Sequence, residues 1–248
     1  MGKMSSLNRF MALFAVIFVL GACSNPLRGT GDLGLVIERA DSSALIVNTT
    51  TRERLARIEG LGDLSHASVV YSRDERYAYV FGRDGGLSKV DMLKANIAAR
   101  VIQAGNAIGG AISQDGRLVA VSNYKPGGVR IFDAESLEMV ADLPTDSKVI
   151  GLVDAPGQRF VFALYDSDEI WVVDMSDVNN PDVRKFKDIG HQPYDGLITP
   201  DGHTYIAGLF GEDGMAMLDL WHIDRGVTRI LDNYGRGEEK LPVYKMPH

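Results

Sequence analysis

The chain has 248 residues, a formal net charge of -7, and 45% hydrophobic against 24% charged residues, the balance of an ordinary globular protein rather than a disordered one. The acidic charge speaks against a nucleic-acid partner, whose phosphates call for a basic face. A single cysteine excludes an intrachain disulfide and a cysteine-rich metal cluster.

In chain order, the first feature is a leader. Lys3 and Arg9 precede an uncharged apolar run, Phe10 to Leu20, and then Leu20-Gly21-Ala22-Cys23. A basic start, an apolar middle and small residues before a cleavage point make an export signal. The run is shorter than the roughly 20 residues of a membrane-spanning helix. The Leu-Gly-Ala-Cys ending resembles a bacterial lipobox, in which the cysteine is lipidated and becomes the new N-terminus. The expectation is a signal peptide over residues 1–22, a tether over 23–30 and a folded domain over 31–248. The mature protein would then sit in the periplasm, held to the membrane only by lipid on Cys23. A plain signal peptide with an incidental cysteine is the competing reading.

From residue 31 the chain repeats itself. Ser72-Arg73-Asp74-Glu75-Arg76, Ser113-Gln114-Asp115-Gly116-Arg117, Ala155-Pro156-Gly157-Gln158-Arg159 and Thr199-Pro200-Asp201-Gly202-His203 each precede a short apolar run. Each unit then reaches a strand end marked by an aspartate: Asp91, Asp133, Asp174 and Asp219, with Asn48 as an earlier copy. Asp-Gly and Pro-Gly between apolar runs favour tight hairpins, because glycine reaches positive φ without a Cβ clash. A period of roughly 40–45 residues with four short strands per unit is that of a propeller blade. The expected fold is therefore all-β, a β-propeller of four-stranded blades at about 64–104, 105–147, 148–190 and 192–235. Leu35–Glu38, Ala44–Asn48 and Leu55–Ile58 supply three strands of an earlier blade. About five blades are present, and the last residues, Pro247-His248, fall where another would begin, so the sequence reads as truncated. An unclosed ring would expose sheet edges and an apolar blade face.

In such a ring the first strand of each blade lines the central channel, and the loop entering it lies at one mouth. His66, His191 and His248 occupy equivalent entry positions, which points to a shared pocket served by imidazoles; three unrelated loop histidines are the bland alternative. His203 reads as a solvated turn residue, and His222 as a surface residue after a fourth strand. Asp154 stands where other blades carry Ser72, Ser113 or Thr199, and a channel-facing carboxylate can act as a base or bind a polar ligand; strand-end solvation is the alternative. Arg83 and Lys125, in loops between second and third strands, can pair with carboxylates, and Tyr124 can stack on a flat ring. Plain loop chemistry competes with each. The glycine-rich segments are not phosphate loops, since no helix follows. There is no Cys-x-x-Cys-His and no zinc-ligand spacing.

Leu64-Ser65-His66-Ala67-Ser68, Gly82-Arg83-Asp84-Gly85-Gly86, Asn123-Tyr124-Lys125-Pro126-Gly127-Gly128 and Asp168-Glu169-Ile170-Trp171 together resemble the NirF family and, more distantly, the d1-haem domain of cd1-type nitrite reductase, over residues 33–248. The resemblance implies an eight-bladed ring, longer than this chain. It places His66 at the position of the reductase histidine that ligates d1-haem iron, and His191 and His248 at those of two histidines on the opposite haem face. It implies non-covalent binding of haem d1 or a late tetrapyrrole precursor, with Arg83, Lys125 and Tyr124 as contacts. His66 would be iron ligand or base, and Asp154 base or polar anchor. The implied activity is late modification of the macrocycle for nitrite reductase in denitrification, a dehydrogenation being one form. The alternatives are a non-catalytic carrier handing the cofactor to nitrite reductase or other maturation proteins, and a scaffold for protein partners alone. No nicotinamide or flavin motif identifies an electron acceptor.

Overall fold

The computed structural model describes residues 29–233. The leader, Cys23 and His248 lie outside the described residues. Among the described residues, nineteen strands form five antiparallel sheets. The first has three strands: β1 (Leu33–Glu38), β2 (Ser43–Asn48) and β3 (Glu53–Ile58). The second holds β4 (Ser68–Tyr71), β5 (Tyr77–Phe81), β6 (Gly86–Asp91) and β7 (Asn96–Ile102). The third holds β8 (Asn106–Ile112), β9 (Leu118–Lys125), β10 (Val129–Asp133) and β11 (Met139–Leu143). The fourth holds β12 (Val149–Ala155), β13 (Arg159–Leu164), β14 (Glu169–Asp174) and β15 (Asp182–Phe186). The fifth holds β16 (Pro193–Ile198), β17 (Thr204–Leu209), β18 (Met215–Asp219) and β19 (Val227–Ile230). Strands pair in chain order within every sheet, and β4 packs on β8, β8 on β12, and β12 on β16. These are blades of a β-propeller with their first strands along the axis.

Alternation along the middle strands builds the core, because neighbouring side chains on a strand face opposite ways. Ala78 and Val80 point back to the first blade, packing with Ala44 and Ile46. Tyr79 and Phe81 point forward onto Val119 and Val121 of the third. Phe160 and Phe162 fill the space between the third and fourth blades. Val161 and Ala163 meet Tyr205 and Ala207 of the fifth. Each interface between consecutive blades is thus its own hydrophobic cluster. Among the described residues no sheet covers the outer face of the fifth blade, where Leu197 is 50% exposed.

The recurring polar residues are turn chemistry. The Oδ1 of Asn48 accepts the backbone N–H groups of Thr50 and Thr51. Asp91 does the same for Leu93 and Lys94, Asp133 for Glu135 and Ser136, and Asp219 for Trp221 and His222. A short carboxylate or amide that caps its own following turn is the reason a strand-end Asp or Asn recurs. The second turn type is also built alike in three blades. Ser72, Ser113 and Thr199 donate to Asp74, Asp115 and Asp201 at 2.6 Å. The same hydroxyls accept the N–H groups of Tyr77, Leu118 and Thr204.

Two local readings need correction. His222 follows β18, the third strand of its blade and not a fourth, because the fifth blade's fourth strand comes after the short 3-10 turn Ile223–Arg225. Tyr124 and Lys125 belong to the end of β9 rather than to a loop, since β9 runs on to pair Lys125 with Asn106.

Candidate functional site

A cavity of about 480 Å³ opens among the first strands, lined by His66, Ser68–Val70, Ile108–Gly110, Ser122, Tyr124, Ile150–Leu152 and Tyr194–Gly196. Its floor comes from a backbone device. Strands β8, β12 and β16 each lose register with their neighbour, around Ala107–Gly109, Ile150–Val153 and Tyr194–Leu197. Such bulges bend a strand and re-aim its side chains. Gly151 has φ +61, and a Cβ there would lie 2.5 Å from the Gly196 nitrogen. Only glycine allows so close an approach of two backbones. The Tyr205 hydroxyl, fully buried, donates to the Gly151 carbonyl at 2.9 Å and fastens the bulge from behind.

His66 sits in the loop entering β4. Buried Leu64 and Ala67 hold that loop on either side, and the Asp63 carboxylate accepts the Ser65 N–H at 2.9 Å. The His66 Nδ1 is closed off from solvent and has no hydrogen-bond partner among the described residues. Buried polar atoms are nearly all paired in settled structures, which sets this nitrogen apart from most.

Tyr124 reaches the same cavity from β9, its hydroxyl 3.2 Å from that of Tyr194. Burial first, and then the Tyr194 contact, push the Tyr124 phenol well above its ordinary range, so it stays protonated. Tyr194 stands edge-on to Tyr165 at 5.9 Å and lies 5.8 Å from Phe210, forming an aromatic wall beside the cavity. Asp195 also lines it, at a φ of +47. Aspartate tolerates positive φ better than most residues with a Cβ.

Of the other sequence-predicted residues, the described ones, His191, Arg83, Lys125 and Asp154, are not brought into this cavity. His191 lies three residues before Tyr194 but turns outward, with Nδ1 3.3 Å from Asp168 and its backbone N–H donating to Glu212 at 2.6 Å. Arg83 is exposed, its backbone N–H donating to the Asp63 carbonyl. Lys125 is exposed beside Tyr124. Asp154 lies at the far ends of the first strands, where it is ion-paired with Arg73 at 3.0 Å and hydrogen-bonded by Gln114. His66 and Asp154 therefore serve opposite mouths of the channel. Sequence reasoning missed Tyr194 and Asp195. The available signal was an Asp-Gly pair inside a first strand, mirrored by Gly109-Gly110 and Gly151 in the preceding ones.

Residues 28–248 match the family model described as the Cytochrome D1 heme domain. The chain belongs to that family. Within it, the chain is 62% identical over 245 residues to Protein NirF of Stutzerimonas stutzeri, covering 95% of this chain and 63% of the relative. It is 64% identical over 243 residues to Protein NirF of Pseudomonas aeruginosa, covering 94% and 62%. The chain thus spans less than two thirds of the length of these relatives. Among solved structures it is similar to dihydro-heme d1 dehydrogenase NirN in complex with DHE, with a TM-score of 0.72, 25% identity, and coverage of 83% of this chain and 44% of that one. The d1-haem-domain membership and the propeller read from the repeat agree.

Proposed function

We propose that this chain binds a d1-type tetrapyrrole, a late precursor of haem d1 or haem d1 itself, non-covalently between its first strands and serves the maturation of that cofactor. The observation that carries the reading is His66: an imidazole with its Nδ1 unsatisfied, at the edge of an axial cavity. An imidazole nitrogen is a ready ligand for iron, and the shielded Nδ1 leaves Nε2 as the nitrogen offered. The bulged glycine floor admits a flat ring close to backbone. Tyr124 and Tyr194 offer aromatic surface and phenol donors to its edge, and Arg83 and Lys125 stand outside the cavity as exposed cations for peripheral carboxylates. The relatives' names, NirF and dihydro-heme d1 dehydrogenase, favour this ligand class.

The test is a titration of full-length protein with a d1-type tetrapyrrole, followed by absorbance. His66→Ala is expected to weaken binding at least tenfold and to change the bound spectrum. Equal affinity and an unchanged spectrum would remove His66 from the site. Two roles remain for the bound protein. The likeness to a dehydrogenase favours modification of the macrocycle. The separation of Asp154 from His66 favours a carrier that hands its ligand on, with nitrite reductase or another maturation protein as recipient. Recovery of an unchanged precursor with an oxidant supplied decides for the carrier; a product two hydrogens lighter decides for modification. The leader and lipobox support a periplasmic protein anchored through Cys23, and mass spectrometry of the native mature chain would show the lipid.

A further inference from the structure

A second group of ligands lies at the outer end of the fifth blade, away from the tetrapyrrole cavity. His203, Asp219 and His222 each offer a donor atom within 4.8 Å of the others. The β17–β18 pairing of Thr204 with Asp219 brings His203 beside the carboxylate, and the capped turn after β18 folds His222 back over it. His203 Nε2 is 2.9 Å from Asp219 Oδ1. That nitrogen is shielded from solvent and lacks the alignment of a hydrogen bond. His222 Nδ1 is 2.9 Å from Asp219 Oδ2.

The blade repeat shows what is unusual here. In the second blade the equivalent aspartate, Asp91, is paired with Arg76 at 3.0 Å and has the exposed Lys94 at 4.0 Å. Arg76 occupies the turn position of His203, and Lys94 that of His222. In the fifth blade two imidazoles replace both. Among the described residues, Arg225 is the further cation at Asp219. It reaches no closer than 3.6 Å and its side chain is 69% exposed, so it can swing away. Asp219 accepts the backbone N–H groups of Trp221 and His222 through its Oδ1. It is an anion at neutral pH facing two nitrogen donors.

We propose that His203, Asp219 and His222 form a site for a divalent transition-metal ion of the zinc or copper type, with water completing the shell. Two imidazoles and a carboxylate are the donor set such ions favour. Metal–ligand bonds of about 2.0–2.2 Å set neighbouring donors on the order of 3 Å apart, the spacing of His203 Nε2 from Asp219 Oδ1 and of His222 Nδ1 from Asp219 Oδ2. The ion supplies the positive charge that Arg76 and Lys94 supply in the second blade, and it ties the β16–β17 turn to the end of β18.

Trp221 is the reporter. It is 66% exposed, and its ring centroid lies 5.1 Å from that of His203. Full-length protein without an affinity tag is stripped with chelator and titrated with Zn²⁺ by calorimetry and with Cu²⁺ by tryptophan emission. One equivalent is expected to bind, with Cu²⁺ quenching Trp221. His203→Ala and His222→Ala should each weaken binding at least tenfold while His66→Ala leaves it unchanged. Wild-type affinity retained in the His203→Ala/His222→Ala double variant overturns the proposal. Co²⁺ added to the wild type gives a reading that needs no variant to fold: ligand-field bands of a mixed nitrogen and oxygen shell support the site, and their absence at one equivalent overturns it.

Discussion

Asp154 owes its freedom to what its blade lacks. In the second, third and fifth blades a hydroxyl residue locks the following aspartate into the turn. The fourth blade carries Asp154 in place of the hydroxyl and Pro156 in place of the aspartate. The carboxylate is thereby released from turn duty and reaches Arg73, 81 residues away in sequence. Arg73 also donates to the carbonyls of Ile112 and Ser113, so it keeps partners if the acid is lost. With side chains 45% and 29% exposed, the pair contributes less than about 1 kcal/mol. Asp154→Asn is accordingly expected to shift the urea midpoint little, and a large loss of stability would show that Arg73 depends on it. The same variant separates roles: a fall in precursor conversion with binding intact would mark Asp154 as part of the chemistry despite its distance from His66. The departure from the repeat was legible in the sequence. The partner was not, because Arg73 looks like an ordinary turn residue until the blades are stacked.

At the scale of the element, the hydroxyl–aspartate turns make stability depend on acid. Asp115 is held at about 2: burial acts to raise it, but bonds from Ser113, the Arg117 backbone and the Arg117 side chain prevail. Asp74 and Asp201 are also lowered, first by their Ser72 and Thr199 hydroxyls. A carboxylate depressed in the folded state stabilises it fully above the unfolded value, about 3.9. That contribution is lost as pH falls through the folded value. Thermal unfolding should therefore show a drop in Tm between about pH 4 and pH 2. Ser113→Ala should cost about 0.5–1.5 kcal/mol at neutral pH and less at pH 2, where the carboxylate it supports is being protonated. An equal cost at both pH values would remove the hydroxyl–carboxylate bond as the cause. These turns were visible as a motif, and their bonding follows from the motif alone, since every partner lies within five residues.

At the scale of the molecule, stability resides between blades. Each cluster joins only two neighbouring sheets, as in other stacked repeats. Phe162, fully buried between the third and fourth blades, should cost about 3–5 kcal/mol when cut to alanine, measured by denaturant unfolding. The loss should fall on that interface first, with hydrogen exchange rising in β9, β10, β13 and β14 before β5 and β6. Uniform exchange through all five sheets would contradict blade-by-blade packing. The sequence by itself determined the blade: its period, its alternation, its capped turns and the entry position of His66 are all local, set by φ, side-chain direction and hydrogen bonds a few residues long. Only the tertiary structure decided which equivalent positions share a space. It put Tyr124, Tyr194 and Asp195 with His66, turned His191 outward, and gathered His203 and His222 around Asp219. Those outcomes depend on how far each bulged first strand bends toward the axis and on how adjacent hairpins align, which no short stretch of chain encodes.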